Sequence, residues 1–175
     1  PSSISQGSNY KIKIESNSNS SVYDYSDGTF SISSPQVDLD IGEINVNTGV
    51  IDIDMSNDSP VSGFQFELID VPDYISITGA GEGVASSYEF TTTTNASGTV
   101  LGFAFSGAQI PAGDHTLVEL YFDIDNPGSN TTLCLDEVII SDPSGDALGV
   151  NIGSCQDVEL LSIVLGDINF DGSID

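Results

Sequence analysis

The run GDINFDGSID (166–175) spaces oxygen-bearing side chains as cation ligands: Asp167, Asn169, Asp171, Ser173 and Asp175. Oxygens on alternate residues of such a loop converge on one hard cation, and a glycine at the sixth position, here Gly172, permits the sharp turn. Ser173 would offer its backbone carbonyl, and Asp175 would act directly or through water. The cofactor these residues imply is calcium. The twelfth position, which takes a bidentate carboxylate, falls after residue 175, so that ligand is expected from water, a neighbouring chain or further sequence.

Three further aspartate pairs alternate with apolar residues: Asp38/Asp40, Asp52/Asp54 and Asp123/Asp125. On strands, each pair would sit on one face. Were two such strands to pair, like charges would lie ~5 Å apart, which destabilises unless a cation lies between them. A divalent cation bridging these aspartates is one expectation; strands that are not neighbours, screened by water and salt, is the other. Cys134 and Cys155 have no His/Cys cluster around them, which argues against zinc. They either pair as a disulfide worth roughly 3 kcal/mol or stay as two buried thiols. N-x-S/T triplets at Asn19, Asn57, Asn95 and Asn130 mark candidate glycosylation positions.

The charge is one-sided, with 27 acids against two bases and a formal net charge of −25. Both bases, Lys11 and Lys13, lie near the N-terminus, and beyond them only His115 could become cationic. Nucleic acid is excluded as a partner, because phosphate binding needs a basic footprint. Anionic membrane surfaces are disfavoured for the same reason, and no apolar run is long enough to cross a bilayer. Such a charge opposes compaction by self-repulsion, so salt or bound cations must offset it. An acidic surface suited to a saline habitat and specific cation binding both meet that need. The chain opens without Met or a signal peptide and reads as a piece of something longer.

The elements that must position these groups read almost entirely as strands. Runs at 10–16, 28–33, 36–44, 49–56, 62–70, 74–79, 98–106, 115–125, 132–140 and 157–165 are separated by turn residues. Ile51, Ile53 and Met55 alternate with Asp52 and Asp54, and Val118, Leu120, Phe122 and Ile124 with Glu119, Tyr121, Asp123 and Asp125. This predicts an all-β, antiparallel two-sheet sandwich with an extra N-terminal strand pair. The predicted divisions are 1–35 (strand pair, polar loop NSNSSVYDYSDG and linker), 36–165 (sandwich) and 166–175 (calcium loop). A lone hairpin is marginal in water. Ile12, Ile14, Phe30 and Ile32 are the positions expected to anchor the N-terminal strands in a sheet, whether of this chain or another.

The segments VIDIDMSNDSPVSGFQFELIDVPDYISITG (50–79) and AGDHTLVELYFDID (112–125) resemble a cohesin-type module. The resemblance implies a nine-stranded jelly roll; related sandwiches include carbohydrate-binding modules. The last ten residues are similar to the opening of a dockerin, without its helix or second repeat. Tyr10–Ser16 and Ser26–Ile32 faintly resemble the end of a Ser/Thr-rich extracellular repeat.

Catalysis is poorly served. His115 is alone, the sandwich has no Lys or Arg, and with 27 acids some carboxylate pair will always sit at a glycosidase-like distance. The reading is a non-catalytic extracellular or cell-surface assembly module that joins other copies or other modules of a secreted scaffold. Strand addition and calcium-dependent contacts would build it into a filament. The alternative is a carbohydrate-binding module with Tyr74, Tyr88 and Tyr121 as platforms.

Overall fold

The computed structural model describes residues 7–32 and 37–160, and the chain divides into two compact units, Pro1–Pro35 and Gln36–Asp175. The loop at 166–175 and its five ligands lie outside the described residues.

The first unit holds β1 (Gly7–Tyr10), β2 (Lys13–Ser16), β3 (Asn19–Tyr25) and β4 (Phe30–Ile32). β1 pairs with β4 and β2 with β3, both antiparallel. Two expectations need correction here. The run 10–16 is not one strand but is broken at Lys11–Ile12, where Ile12 bonds outward: its N–H donates to Ser26 Oγ at 3.2 Å. The segment read as a polar loop contains β3, because Val22, Tyr23 and Tyr25 are branched or aromatic residues that suit a pleated ribbon. Tyr23 and Tyr25 pack edge-on at 5.6 Å, and the Lys13 ammonium lies over the Tyr23 ring while pairing with Glu15.

The second unit is the sandwich. Its strands are β5 (Val37–Asn45), β6 (Val50–Asn57), β7 (Gly63–Val71), β8 (Ile75–Gly81), β9 (Thr91–Thr94), β10 (Thr99–Phe103), β11 (Gly113–Ile124), β12 (Asn130–Ser141), β13 (Val150–Ile152) and β14 (Gln156–Glu159). Among the described residues a single short helix, α1 (Gly83–Ser87), follows β8. One sheet has the order β13-β5-β6-β11-β8 and the other β14-β12-β7-β10-β9. All pairings are antiparallel except β13 on β5.

Period-two alternation decides what goes inside. Ile51, Ile53 and Met55 of β6 and Leu120 and Phe122 of β11 face Phe64, Phe66, Leu68, Val100, Leu133 and Ile140 of the other sheet. Each such side chain contributes about 1.5–3 kcal/mol on burial. β11 carries a bulge between Thr116 and Val118, and both Leu117 and Val118 are buried. An extra residue in one strand lets two successive side chains turn inward. Gly102 is the cross-strand partner of Phe64, and the Phe64 ring occupies the space a side chain at 102 would fill. That ring stacks on Phe66 and Phe90 at 6.2 and 6.0 Å.

Candidate functional site

Each sheet turns one face to the core and one outward, and the two outer faces differ in chemistry. On the first sheet, β5, β6 and β11 put Asp38, Asp40, Asp52, Asp54 and Glu119 outward, opposite the buried alternates. Register brings some of the predicted aspartates together. Asp40 stands directly across from Asp54, and Asp52 across from Glu119. Asp38 is opposite Ser56, and its carboxylate accepts from Asn151 Nδ2 at 2.8 Å. Asp54 accepts from Thr116 Oγ1 at 2.8 Å. Asp123 and Asp125 do not join this group. Asp123 lies at the far end of β11 beside β8 and Asp125 just past it, where Asp125 accepts from Ser76 Oγ at 2.7 Å.

No Lys or Arg stands among these carboxylates, though His115 lines one pocket with Asp38, Asp40, Asp54 and Asp114. Partial burial pushes Asp52 up, with the Asp54 and Glu43 charges adding to it. Glu119 is raised by burial and then by Asp52 and Glu82. Tyr121 rises through burial and the Glu119 and Glu82 charges. Among the described residues no three His, Cys, Asp or Glu side chains are grouped closely enough to hold a metal ion.

The outer face of the second sheet is different. Its central strands present Gln65, Glu67 and Ile69 on β7, Thr99, Leu101 and Phe103 on β10, and Cys134, Asp136 and Ile139 on β12. Leu101 and Ile139 flank Gln65 in one cross-strand row, and are 40% and 54% exposed. Phe105, just past β10, is 83% exposed and meets Phe103 edge-on at 4.7 Å. This mixed apolar and polar face, with Glu67 and Asp136 as charges on its central strands, had no signal in the sequence: its residues are the polar half of an alternating pattern in which a few positions are simply not polar.

The cysteines pair: Cys134 of β12 and Cys155, immediately before β14, form a disulfide on this sheet. It pins the edge strand β14 to its neighbour. Of the candidate glycosylation positions, Asn19, Asn95 and Asn130 are exposed. Asn57 is not. It is 4% exposed, and its amide nitrogen donates to the carbonyls of Ser59 and Pro111 at 2.8 and 3.0 Å. A glycan at Asn57 is therefore incompatible with this fold, and the sequon there is a coincidence of composition.

The three tyrosines do not share an element. Tyr74 packs against the core, Tyr88 follows α1, and Tyr121 lies outward on β11 against Gly79 and Gly81. His115 is half-buried, with Nε2 3.2 Å from the Pro111 carbonyl. In the first unit, Ile12, Ile14 and Phe30 are 59%, 73% and 44% exposed, joined by Val22 at 60%. Ile32 ends β4 opposite Gly7.

No protein-family model and no curated protein matches the sequence. Among solved structures the chain is similar to cohesin domains. The non-cellulosomal cohesin of the hyperthermophilic archaeon Archaeoglobus fulgidus aligns over 67% of this chain and 86% of its own, at 17% identity and a TM-score of 0.51. The third ScaC cohesin of Acetivibrio cellulolyticus, solved in complex with the ScaB dockerin, aligns over 72% and 99%, at 16% identity and 0.56. The seventh ScaB type I cohesin of Pseudobacteroides cellulosolvens aligns over 74% and 94%, at 13% identity and 0.55. At these identities the likeness is one of fold. It bears out the two-sheet sandwich read from the strand pattern and the cohesin-type fold implied by the resemblance, with ten described strands in two five-stranded sheets rather than nine.

Proposed function

We propose that the sandwich is a non-catalytic protein-binding module of an extracellular assembly, and that it binds its partner through the outer face of β9, β10, β7 and β12. The observation that carries this reading is the contrast between the two faces. Leu101 and Ile139 are exposed and, with the half-buried Phe103, form apolar ground beside two charges, Glu67 and Asp136, while the opposite sheet carries Asp38, Asp40, Asp52, Asp54 and Glu119. A desolvated apolar centre ringed by polar groups is what protein interfaces use, and charge is depleted from such centres. The Acetivibrio cellulolyticus neighbour solved with a dockerin supports a dockerin-bearing partner. Titration calorimetry against a panel of dockerin modules tests it. Leu101→Glu and Ile139→Glu should each weaken binding by about tenfold or more. Absence of binding across the panel, or binding that ignores both substitutions, refutes the reading.

A second reading concerns the first unit, whose exposed Ile12, Ile14 and Val22 favour association with another copy. Strand addition would give main-chain hydrogen bonds plus apolar cover, and head-to-tail addition would extend into a filament. Calcium held by Asp167, Asn169, Asp171, Ser173 and Asp175 would reinforce contacts between copies. Sedimentation of the full chain with calcium and with chelator, for wild type and Ile14→Glu, tests both parts. Monomers throughout would defeat the idea; assembly indifferent to chelator would defeat its calcium half.

A further inference from the structure

Among the described residues four strands end the two sheets of the sandwich: β13 and β8 in the first, β14 and β9 in the second. Each leaves a row of backbone N–H and C=O groups without a ladder partner. Such a row is a template for another strand, and sheets guard it with charge, bulges, proline or extreme brevity. Three of the four are guarded. β13 is three residues long, and its Asn151 side chain is held by Asp38. β14 carries exposed Asp157 and Glu159. β8 is weakened by Gly79 and Gly81 and slips register against β11 between Tyr121 and Phe122. β9 is different. It is Thr91–Thr94, four β-branched residues without a charge, paired to β10 with no shift of register. It is also firmly set. Phe90, just before it, is buried and stacks on Phe64 at 6.0 Å, and after it the Thr99 N–H donates to Asn95 Oδ1 at 3.0 Å.

The first unit holds a strand suited to that edge. None of residues 7–31 is buried, so its two ribbons have no core of their own, and a two-stranded ribbon is marginal in water. β3 is the longest strand of the unit, seven residues exposed along their whole length and paired with β2 on one side only. Its Val22, Tyr23 and Tyr25 are the branched and aromatic types that pack well across a ladder from threonine. Charge points the same way. Lys11 and Lys13, the chain's two bases, lie in this unit against Glu15, Asp24 and Asp27, whereas the second unit holds all the other acids and no Lys or Arg. Two sandwiches therefore repel each other more strongly than a sandwich repels a first unit. We propose that β9 is the edge that receives β3 of a second copy, extending the second sheet by one strand. This rests on the self-association reading of the first unit and names its acceptor.

The test is amide hydrogen exchange of the full chain in calcium, measured dilute and at concentrations where sedimentation shows assembly. Thr91–Thr94 and Asn19–Tyr25 should gain protection together as the chain assembles. Thr91→Asp combined with Thr93→Asp places charge on the edge at two exposed positions. It should raise the concentration for half-assembly by about tenfold or more. A chain that stays monomeric at every concentration overturns the proposal together with the reading it rests on. Assembly that leaves Thr91–Thr94 exchanging as in the monomer, or that is indifferent to the double substitution, overturns β9 as the acceptor and leaves self-association standing. Protection of Thr91–Thr94 that does not depend on concentration also overturns it, because the edge would then be covered within a single chain.

Discussion

Replacing Asp52 by Asn should stabilise the protein at neutral pH, although it removes a charge and adds no contact. Asp52 faces Glu119 directly across the β6–β11 ladder, with Asp54 two residues along the same face and Glu43 on the neighbouring strand. Opposed side chains on paired strands sit ~5 Å apart. At that distance two unit charges repel by about 0.8 kcal/mol even at the dielectric of water. With Asp54 and Glu43 adding to it, the gain should be about 1 kcal/mol at low ionic strength. For a sandwich of this size that is a rise of roughly 4 °C in Tm. Asp52 and Glu119 are both held above ordinary carboxylate values, so the folded state retains protons that the unfolded chain has released. Wild-type stability from these groups therefore increases as pH falls through their raised folded values, and levels off below about 4. Asp52→Asn should lead the wild type at pH 7, converge with it near pH 3, and lose much of its lead in 0.5 M salt. Thermal unfolding of both proteins across this grid is the assay. A substitution that is neutral or destabilising at pH 7 and low salt refutes the repulsion argument, as does a gain that persists unchanged at pH 3.

Removing the disulfide with Cys134→Ala/Cys155→Ala should cost about 3 kcal/mol for a loop closed by residues 21 apart. A fall in Tm of under 3 °C would show that β14 is held by its ladder alone. Gly98→Ala should cost about 1–3 kcal/mol by urea unfolding, because residue 98 has φ +89° and a methyl group there runs into the Leu68 carbonyl. An unchanged midpoint would mean that the β9–β10 turn can relax at no cost.

The core was legible in the sequence because alternation survives wherever one face is buried. β6 and β11 follow the pattern of Ile51, Ile53, Met55, Leu120 and Phe122 almost residue for residue. Strands whose side chains are mostly exposed were invisible. β9 is four threonines at a sheet edge, and β13 is three residues docked beside β5. Both exist through backbone pairing with a neighbour, which leaves no hydrophobic trace. α1 is five residues with no side-chain cap, too short to show a helical period. The acidic face was half legible. That Asp52 and Asp54 share a face follows from spacing, but that Asp52 meets Glu119 rather than Asp123 depends on strand order and register, which spacing does not carry.

The parallel pairing of β13 with β5 sets a schedule for how the sandwich comes into being. The Val37 N–H donates to the Gly149 carbonyl and the Gly153 N–H to that of Leu39, while Asp38 and Asn151, joined by a side-chain bond, stand 113 residues apart. The β5–β6 and β9–β10 hairpins close early, at little loop entropy, but β5 stays an open edge until almost the whole unit exists. A chain emerging from the ribosome would carry that bare edge for roughly 6–23 s at ordinary synthesis rates of about 5–20 residues per second. An unpaired strand in that interval invites pairing with another chain. Asp38 and Asp40, exposed on that strand, place negative charge at the edge while it waits, so part of the chain's acidity acts before the fold is complete.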